Sequence, residues 1–283
     1  MKRNNVFQTK SVSFAVTNDV EGELTVLPND GKSHRLLLSW NDISLKKITM
    51  HIPQNASVDL VEIGEPKVSE IHYIVGAYAS VHIARATLER VSSSNLTMDI
   101  GESAKVVFGV ADFAHGKKKE QVTFHLQGRD SHVSWRLSSF ADQQDDKAYD
   151  VSFIHHAPST FASMANYGVV ADSSRLVFAG ISHILNGAVM SKTHQNAKIM
   201  VFDSSAQAKA NPILKIDDNQ VEASHAAAVG KVNDEHLFYL CSRGLSESQA
   251  KRVITLGYLN PILDYFSDED IRQIVADAIT KQV

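Results

Sequence analysis

The segment VEASHAAAVG, residues 221–230, places a single histidine among small, apolar and weakly polar residues. Imidazole is the side chain that most often ligates transition metals and exchanges protons near neutral pH. His225 follows Ser224 and precedes three alanines, so the local sequence offers no second strong ligand. Two interpretations follow: a ligand whose partners come from elsewhere, or a packed and hydrogen-bonded side chain.

The remaining candidate ligands do not form an obvious set. His155 and His156 are adjacent, and adjacent residues on a strand point to opposite faces, so they are not expected to share an ion. The segment HHAPST, residues 155–160, is typical of a turn. Cys241 is the single cysteine, which excludes an internal disulfide and a cysteine-rich metal site and favours a reducing, cytoplasmic setting. Its position among apolar residues predicts a buried structural thiol.

A second set of chemistry-bearing residues is acidic. The segment QQDDKAYD offers Asp145, Asp146 and Asp150, and enzymes that cut polysaccharides use grouped carboxylates. Its polar character indicates a loop, and the chain contains no Walker P-loop, HExxH, GxSxG or GxGxxG motif. These common catalytic motifs are therefore absent from the sequence, and a carbohydrate-active enzyme that uses the acidic residues is kept as an alternative.

The net charge and the hydropathy of the sequence argue against nucleic acid and membranes as binding partners. The net charge of −4 gives no basic footprint for nucleic acid or an anionic membrane. The one basic run, residues 117–119, is followed at once by Glu120 and is interpreted as a solvated turn. No window approaches the roughly 18 apolar residues that a membrane span requires. The opening residues lack the apolar core of a secretory signal, so the expected location is cytoplasmic.

The elements that must position these residues are mainly β-strands. Short runs rich in β-branched and aromatic residues fill residues 10–232, with no helical period of comparable strength. Four valines, each preceded by a small residue two positions earlier, recur 23, 25 and 27 positions apart, and Ile199 and Val221 are 22 apart. Gly76 and Gly101 precede two of these valines by five residues and predict turns. The four are Val58, Val81, Val106 and Val133.

Such spacing favours a β-solenoid in which each coil contributes one strand and stacks equivalent side chains on the next. A β-sandwich with irregularly spaced strands is the alternative. The strand pattern ends at Val232, and helical patterns follow. The sequence thus predicts a β body over residues 1–232 and a helical segment over residues 233–283.

Three helices are expected in that segment. Gly244 is placed as a left-handed C-cap, and Ser246 with Gln249 has the spacing of a capping box. Ser267 and Asp270 repeat that spacing ahead of the last helix. The predicted apolar faces are Leu237, Leu240 and Cys241 on the first helix, and Ile271, Ile274, Val275 and Ala278 on the last.

The C-terminal third carries ordered blocks that resemble the SufB/SufD family of iron–sulfur cluster assembly proteins. The blocks read SHAAAVG over residues 224–230 and LFYLCSRG over residues 237–244. Upstream, HHAP and RLVFAG are similar to further family blocks, and THQN ends in the family's Gln195–Asn196 corner. Two positions depart from the pattern: Ala226 replaces a glycine, and Ala223 stands where relatives often have cysteine.

The resemblance implies a right-handed parallel β-helix followed by C-terminal helices. It implies a SufD-like, non-catalytic scaffold subunit that pairs with a SufB-like chain through the β-helix ends. A SufC-like ATPase would bind the C-terminal helices. His225 becomes a candidate ligand for a nascent iron–sulfur cluster at the partner interface. No intrinsic cofactor is implied, only a transient cluster shared with the partner, and a stand-alone homodimer is the further alternative.

Overall fold

A computed structural model describes residues 12–16, 21–26, 33–40, 45–64, 68–88 and 93–282. Most of these residues lie in strands that alternate inward and outward side chains. The strands are β1 (Val12–Val16), β2 (Glu21–Val26), β3 (Ser33–Ser39), β4 (Lys47–Ile52), β5 (Ser57–Ile63), β6 (Glu70–Val75), β7 (Ser80–Thr87), β8 (Asn95–Ile100), β9 (Lys105–Asp112), β10 (Lys117–Leu126), β11 (His132–Ala141), β12 (Asp146–His155), β13 (Phe161–Val170), β14 (Arg175–Ile184), β15 (Lys192–Val201), β16 (Gln207–Ile216) and β17 (Glu222–Lys231).

The strands form two sheets, and successive strands alternate between them. One sheet has nine strands in the order β1-β2-β4-β6-β8-β10-β12-β14-β16, and the other has eight in the order β17-β15-β13-β11-β9-β7-β5-β3. Apart from the antiparallel β1–β2 pair, neighbours pair in parallel, as in β12 with β14. The chain is therefore a parallel β-solenoid, as predicted. Each coil contributes two strands rather than the one expected, because the valine pattern marks only the eight-stranded sheet.

The register confirms the valine repeat. Val58 pairs with Val81, Val81 with Val106, and Val106 with Val133. The predicted step from Ile199 to Val221 is wrong, because Ile199 pairs with Val229. The coils lengthen toward the C-terminus, so a fixed spacing does not carry over to the last one.

Glycine allows the coil corners to pack closely. A Cβ at Gly76 would lie 2.5 Å from the backbone nitrogen of Gln54, and a Cβ at Gly101 would lie 2.8 Å from that of Ala77. Both contacts are with the corner of the preceding coil and are too short for a methyl group. The two predicted turns are therefore confirmed, and the close approach of stacked backbones explains why they carry glycine.

The inward-facing side chains form the first hydrophobic core, between the two sheets. Aromatic rings stack along its axis: the ring centroids of Phe108 and Trp135 are 5.3 Å apart, and those of Phe124 and Phe153 are 5.5 Å apart. Strands such as β12 alternate strictly between buried and partly exposed positions. Close packing of this kind fixes the register, since a shift by one residue would turn every apolar side chain outward.

The helices are α1 (Asp234–Ser242), α2 (Glu247–Leu259) and α3 (Glu269–Gln282), with a 3₁₀ helix over Asn260–Tyr265. Gly244 has a φ of +97°, as expected after the end of α1. The capping box of Ser246 and Gln249 is present at the start of α2. The one predicted for Ser267 and Asp270 is wrong.

A different side chain caps α3. Ser267 donates its hydroxyl proton to Asp59 on the β body, and Asp268 instead accepts a hydrogen bond from the backbone nitrogen of Ile271 at 3.1 Å. The buried residues of α3 are Ile271, Val275 and Ile279. The predicted apolar face is therefore correct at Ile271 and Val275, but Ile274 is about half exposed. The tertiary contact to Asp59 decides which residue is free to act as the cap.

A second core joins the helices to the outer face of the eight-stranded sheet. Outward-facing residues of that sheet, including Val61, Ala84 and Phe140, share one buried cluster with Leu259 and Val275. The sheet backbone leaves room for the 3₁₀ helix at Gly109, where a Cβ would lie 2.4 Å from the ring of Tyr265. The strands end at Lys231 and the helices begin at Asp234, close to the predicted change at Val232. The division into two domains at that point stays a prediction.

A chain of buried ion pairs runs through the interior between the sheets. Arg85 contacts Glu62 at 2.6 Å and Glu120 at 3.3 Å, and Lys118 contacts Glu120 at 2.9 Å. Lys118 and Lys147 both contact Asp112, at 2.7 and 3.2 Å. The three acids and three bases form one continuous, buried ionic ladder: Glu62, Arg85, Glu120, Lys118, Asp112 and Lys147.

The basic run at residues 117–119 is therefore not a solvated turn. It opens strand β10, and Lys118 is an inward-facing residue of that strand. Burial raises the pKa of Asp112, but the ammonium groups of Lys118 and Lys147 outweigh burial and hold that pKa at about 2. The ladder is stable because every buried charge has an opposite charge in contact with it.

We predict that Lys147→Met lowers the free energy of unfolding by about 3 kcal/mol, because it removes one partner of a fully buried pair. Denaturant unfolding followed by tryptophan fluorescence measures the change. Lys192→Met is the control, because Lys192 pairs with Glu222 on the surface and such pairs contribute at most about 1 kcal/mol. Equal losses in the two variants would contradict the ladder's role.

Candidate functional site

Among the residues that the structure describes, none forms a further coil on the outer side of the last coil. β17 is the end strand of the eight-stranded sheet, and β16 is the end strand of the nine-stranded sheet. Their side chains are far more exposed than those of earlier coils: Ile213 is 44% exposed, Ile216 39% and Val229 46%. The open end therefore combines two strand edges with an apolar rim.

His225 lies in the middle of this open end. It pairs in register with Gln195 of β15, whose side chain faces the interior and is 4% exposed. Stacked residues of parallel strands point to the same face of a sheet, so His225 belongs to the inward-facing row. The side chain is exposed because no residue that the structure describes covers the last coil. It is neither a packed core histidine nor an outer-surface histidine.

The layer beneath His225 is polar and firmly held. The Nε2 of Gln195 donates to Ser182 Oγ at 2.7 Å and to the carbonyl oxygen of Ile213 at 3.1 Å. Thr193 donates to the same Ser182 hydroxyl at 2.8 Å. The Oε1 of Gln195 is buried and has no hydrogen-bond partner among the described residues. A buried acceptor thus lies one layer below the imidazole in the same row.

Other residues of the SHAAAVG block face outward or leave space. Ser224 is on the outer face, where its hydroxyl lies 2.7 Å from Nδ1 of His194. Ala223 and Ala227 are the inward-row neighbours of His225, because they pair with the inward-facing Thr193 and Ala197. Two methyl groups beside the imidazole leave room around it for groups from another chain.

The other predicted site residues are not brought together. Asp146 forms an ion pair with Arg175 at 2.8 Å. Asp150 lies on the outer face of β12. Asp145 is buried in a coil corner next to His115. Cys241 is half-buried rather than buried, on a helix with no buried residue, so the predicted core thiol is wrong. The three aspartates therefore lie in three different environments.

His155 and His156 face different environments, as predicted. His155 is fully buried, with Nδ1 2.7 Å from Thr160 Oγ1, while His156 Nε2 lies 3.0 Å from His125 Nδ1 on the surface. The residues after His155 form a coil corner in which Ser159 has a φ of +59°, so the predicted turn is confirmed. His155 Nε2 is buried and unpartnered among the described residues. The residue is structural, and sequence gave no signal for its burial.

The fold and the open end together define a β-solenoid protein with one histidine in the inward row of an uncovered terminal coil. The family model described as SUF system FeS cluster assembly, SufBD core domain, matches residues 39–258. The chain therefore belongs to the SufBD family of iron–sulfur cluster assembly proteins. No helix within the described ranges is long and apolar enough to cross a membrane.

Curated relatives agree with this family. The chain is 25% identical over 244 residues to the iron–sulfur cluster assembly protein SufD of Bacillus subtilis, which covers 76% of this chain and 55% of the relative. It is 27% identical over 136 residues to SufBD family proteins of Staphylococcus saprophyticus and Staphylococcus aureus, covering 48% of this chain and 29% of each relative. The chain thus spans about half the length, or less, of these relatives.

We predict that His155 makes stability depend on pH. Burial, helped by the nearby His156, lowers the pKa of His155 to about 4, whereas an imidazole in the unfolded chain titrates near 6.5. The unfolded state therefore takes up a proton first. The stabilisation is complete above pH 6.5 and is lost as pH falls to about 4, by about 3 kcal/mol in total.

Denaturant midpoints of the wild type and His155→Gln at pH 7 and pH 5 measure this effect. The wild type should lose more stability than His155→Gln between the two pH values. His132→Gln, which removes an exposed histidine, should behave like the wild type. An identical pH response in wild type and His155→Gln would refute the assignment.

Proposed function

We propose that this protein is a SufD-like scaffold subunit that pairs end to end with a SufB-like chain and presents His225 to a nascent iron–sulfur cluster. The cluster is cargo, assembled at the junction and passed on. The observation that carries the proposal is the uncovered last coil with His225 in its inward row. The family supplies the context of cluster assembly.

The end of the solenoid is suited to a partner of the same construction. Strand edges carry unpaired backbone donors and acceptors, which pair readily with another chain. The exposed Ile216 and Val229 provide apolar surface that is costly to leave in water. A second solenoid end would continue both sheets and the interior row at once, which suits a SufB-like partner.

The chemistry of the site requires that partner. Imidazole can ligate iron next to thiolates, but β17 itself contains no cysteine, and Cys241 lies on α1. His225 would thus supply one ligand and the partner chain the thiolates. The small Ala223 and Ala227 on either side leave space for them. The scaffold role needs no catalytic group in this chain.

The ATPase partner is assigned to the helical segment, and specifically to α1. Helices α2 and α3 each have three buried residues, whereas none of the residues of α1 is buried. Phe238 is 75% exposed and Tyr239 56% exposed on α1. Two exposed aromatic rings on one helix are typical of a protein interface. We assign this surface to a SufC-like ATPase.

The setting of this proposal is cytoplasmic, as the single cysteine suggests. Pairing of two copies through the same open end is the main competing outcome, because the apolar rim would also fit a second copy. A carbohydrate-active enzyme has less support, since Asp145, Asp146 and Asp150 are not grouped.

We predict that His225→Ala strongly reduces the iron and sulfide retained by the complex coexpressed with SufB-like and SufC-like chains. The melting temperature should change by no more than a few degrees, because the exposed imidazole has little to lose on truncation. Iron and sulfide analysis of the purified complex measures the effect, with His132→Ala as the matched exposed histidine.

Size-exclusion chromatography with light scattering separates the outcomes. A complex that contains one copy of each solenoid chain supports the proposal, and a dimer of this chain that excludes the SufB-like chain rejects it. Unchanged iron content in His225→Ala, with the mixed complex intact, would reject the ligand role and leave the pairing in place.

We also predict that Phe238→Asp abolishes copurification of the ATPase while the chain still pairs with its solenoid partner. A charge in the centre of an apolar contact is not tolerated, whereas on free α1 it costs little. Ile274→Asp on α3 is the control, because Ile274 is about half exposed on a different helix. Loss of the ATPase with Ile274→Asp alone would place the contact on α3.

A further inference from the structure

A coil corner far along the chain from β17 brings together a histidine and two aspartates. His115 lies in the turn between β9 and β10, and Asp142 and Asp145 lie in the turn between β11 and β12. The two turns stack because consecutive coils are in register. His115 is 42% exposed, whereas the carboxyl groups of Asp142 and Asp145 are 18% and 5% exposed.

The three ligand atoms converge on one point. His115 Nδ1 lies 3.0 Å from Asp142 Oδ1 and 3.2 Å from Asp145 Oδ2. All three lie within 4.8 Å of one another. At metal–ligand distances of about 2.1 Å, neighbouring ligand atoms in octahedral or tetrahedral geometry are about 3.0 to 3.4 Å apart. The imidazole–carboxylate distances already match a shared ion.

A simple ion pair accounts for this arrangement poorly. A single ring nitrogen faces two carboxylates and has at most one proton to share between them. Asp142 Oδ1 is shielded from solvent and receives no hydrogen bond of adequate geometry among the described residues. One buried acceptor of the cluster, Asp142 Oδ1, is therefore left without a hydrogen-bond donor among the described residues.

The remaining contacts hold the carboxylates in place. Asp145 Oδ1 accepts from the backbone nitrogen of Gly116 at 2.7 Å, and Oδ2 accepts from that of Asp142 at 3.3 Å. The pKa of Asp142 is raised, chiefly by burial and also by the neighbouring charges of Asp145 and Asp172, which together outweigh the lowering by His115. Two carboxylates fixed this close together are stabilised by a cation.

We propose that His115, Asp142 and Asp145 form an exchangeable binding site for a divalent transition-metal cation such as Mn²⁺, Fe²⁺ or Zn²⁺. Imidazole is a common ligand of these transition metals, whereas Ca²⁺ and Mg²⁺ prefer sites built only from oxygen ligands. One imidazole with two carboxylates therefore favours a transition-metal ion. The exposed side of His115 leaves the other coordination positions to water. The site lies in other coils than His225 and uses no residue of the surfaces that we assign to partner chains.

Mn²⁺ alone is a suitable probe, added to the chelator-treated full chain. Electron paramagnetic resonance of free Mn²⁺ counts the bound ions. We expect one bound equivalent in the wild type and at least a tenfold loss of affinity in both His115→Gln and Asp142→Asn. Both side chains are partly exposed, so each variant should fold, and thermal unfolding checks this.

Asp217→Asn is the matched control. It breaks the contact of His183 with Asp217, a 2.7 Å pair on the surface with one carboxylate instead of two, and should leave Mn²⁺ binding unchanged. In NMR spectra of the wild-type protein, substoichiometric Mn²⁺ should broaden the ring signal of His115 before that of any other histidine. The signal is assigned to His115 because it is missing from the spectrum of His115→Gln.

Three results would overturn the proposal. These are no bound equivalent in the wild type, equal affinity in the wild type and both variants, or earlier broadening of another histidine. In each case the cluster is a plain histidine–aspartate ion pair. Iron content of the coexpressed complex is a separate readout, so failure here leaves the scaffold proposal untouched.

Discussion

In-register stacking of parallel strands is the constraint on which the rest of this structure depends. Each residue lies directly over its counterpart in the preceding coil, so a side chain points inward when its counterpart points inward. The stacked aromatic pairs Phe124–Phe153 and Phe108–Trp135 and the valine column from Val58 to Val133 follow from that rule. The corners must stack as closely as the strands, which requires glycine at Gly76.

The same rule brings charged residues into the interior and pairs them. A basic residue placed in the inward row has no access to water, so it must find an acid in the same coil or the next one. Lys118 does so with Asp112 and Glu120, and Arg85 with Glu62. These residues fix how neighbouring coils are aligned, since a shifted register would separate charges that cannot be left unpaired.

Stacking also explains why the inward row is exposed at the open end. Within the part of the chain that the structure describes, no coil follows β16 and β17, so their inward-row side chains face solvent. An imidazole in that row is held by the coil beneath it yet stays accessible from above. The family model ties the chain to iron–sulfur cluster assembly, and this exposed end is where we propose that a second chain docks.

The sequence by itself determined the repeating coil, the change from strands to helices near Val232 and the cap at Gly244, and it made His225 a candidate site residue. These are local signals: a valine repeat, a glycine after a helix, and a motif read in order. Local signals could not reveal that there are two strands per coil, because the second sheet lacks the valine pattern.

Only the tertiary structure decided which polar residues are buried. Lys118 has the sequence of a solvated turn, His155 that of a loop, and Cys241 that of a core thiol, yet the first two are buried and the third is half-exposed. It also decided that Asp268 rather than Ser267 caps α3, and that His115 meets Asp142. The physical reason is that coiling sets which side chains face inward and which distant residues meet. Ser267 contacts Asp59, 208 residues away, and His115 contacts Asp145, 30 residues away, and a side chain's own neighbours in sequence encode neither contact.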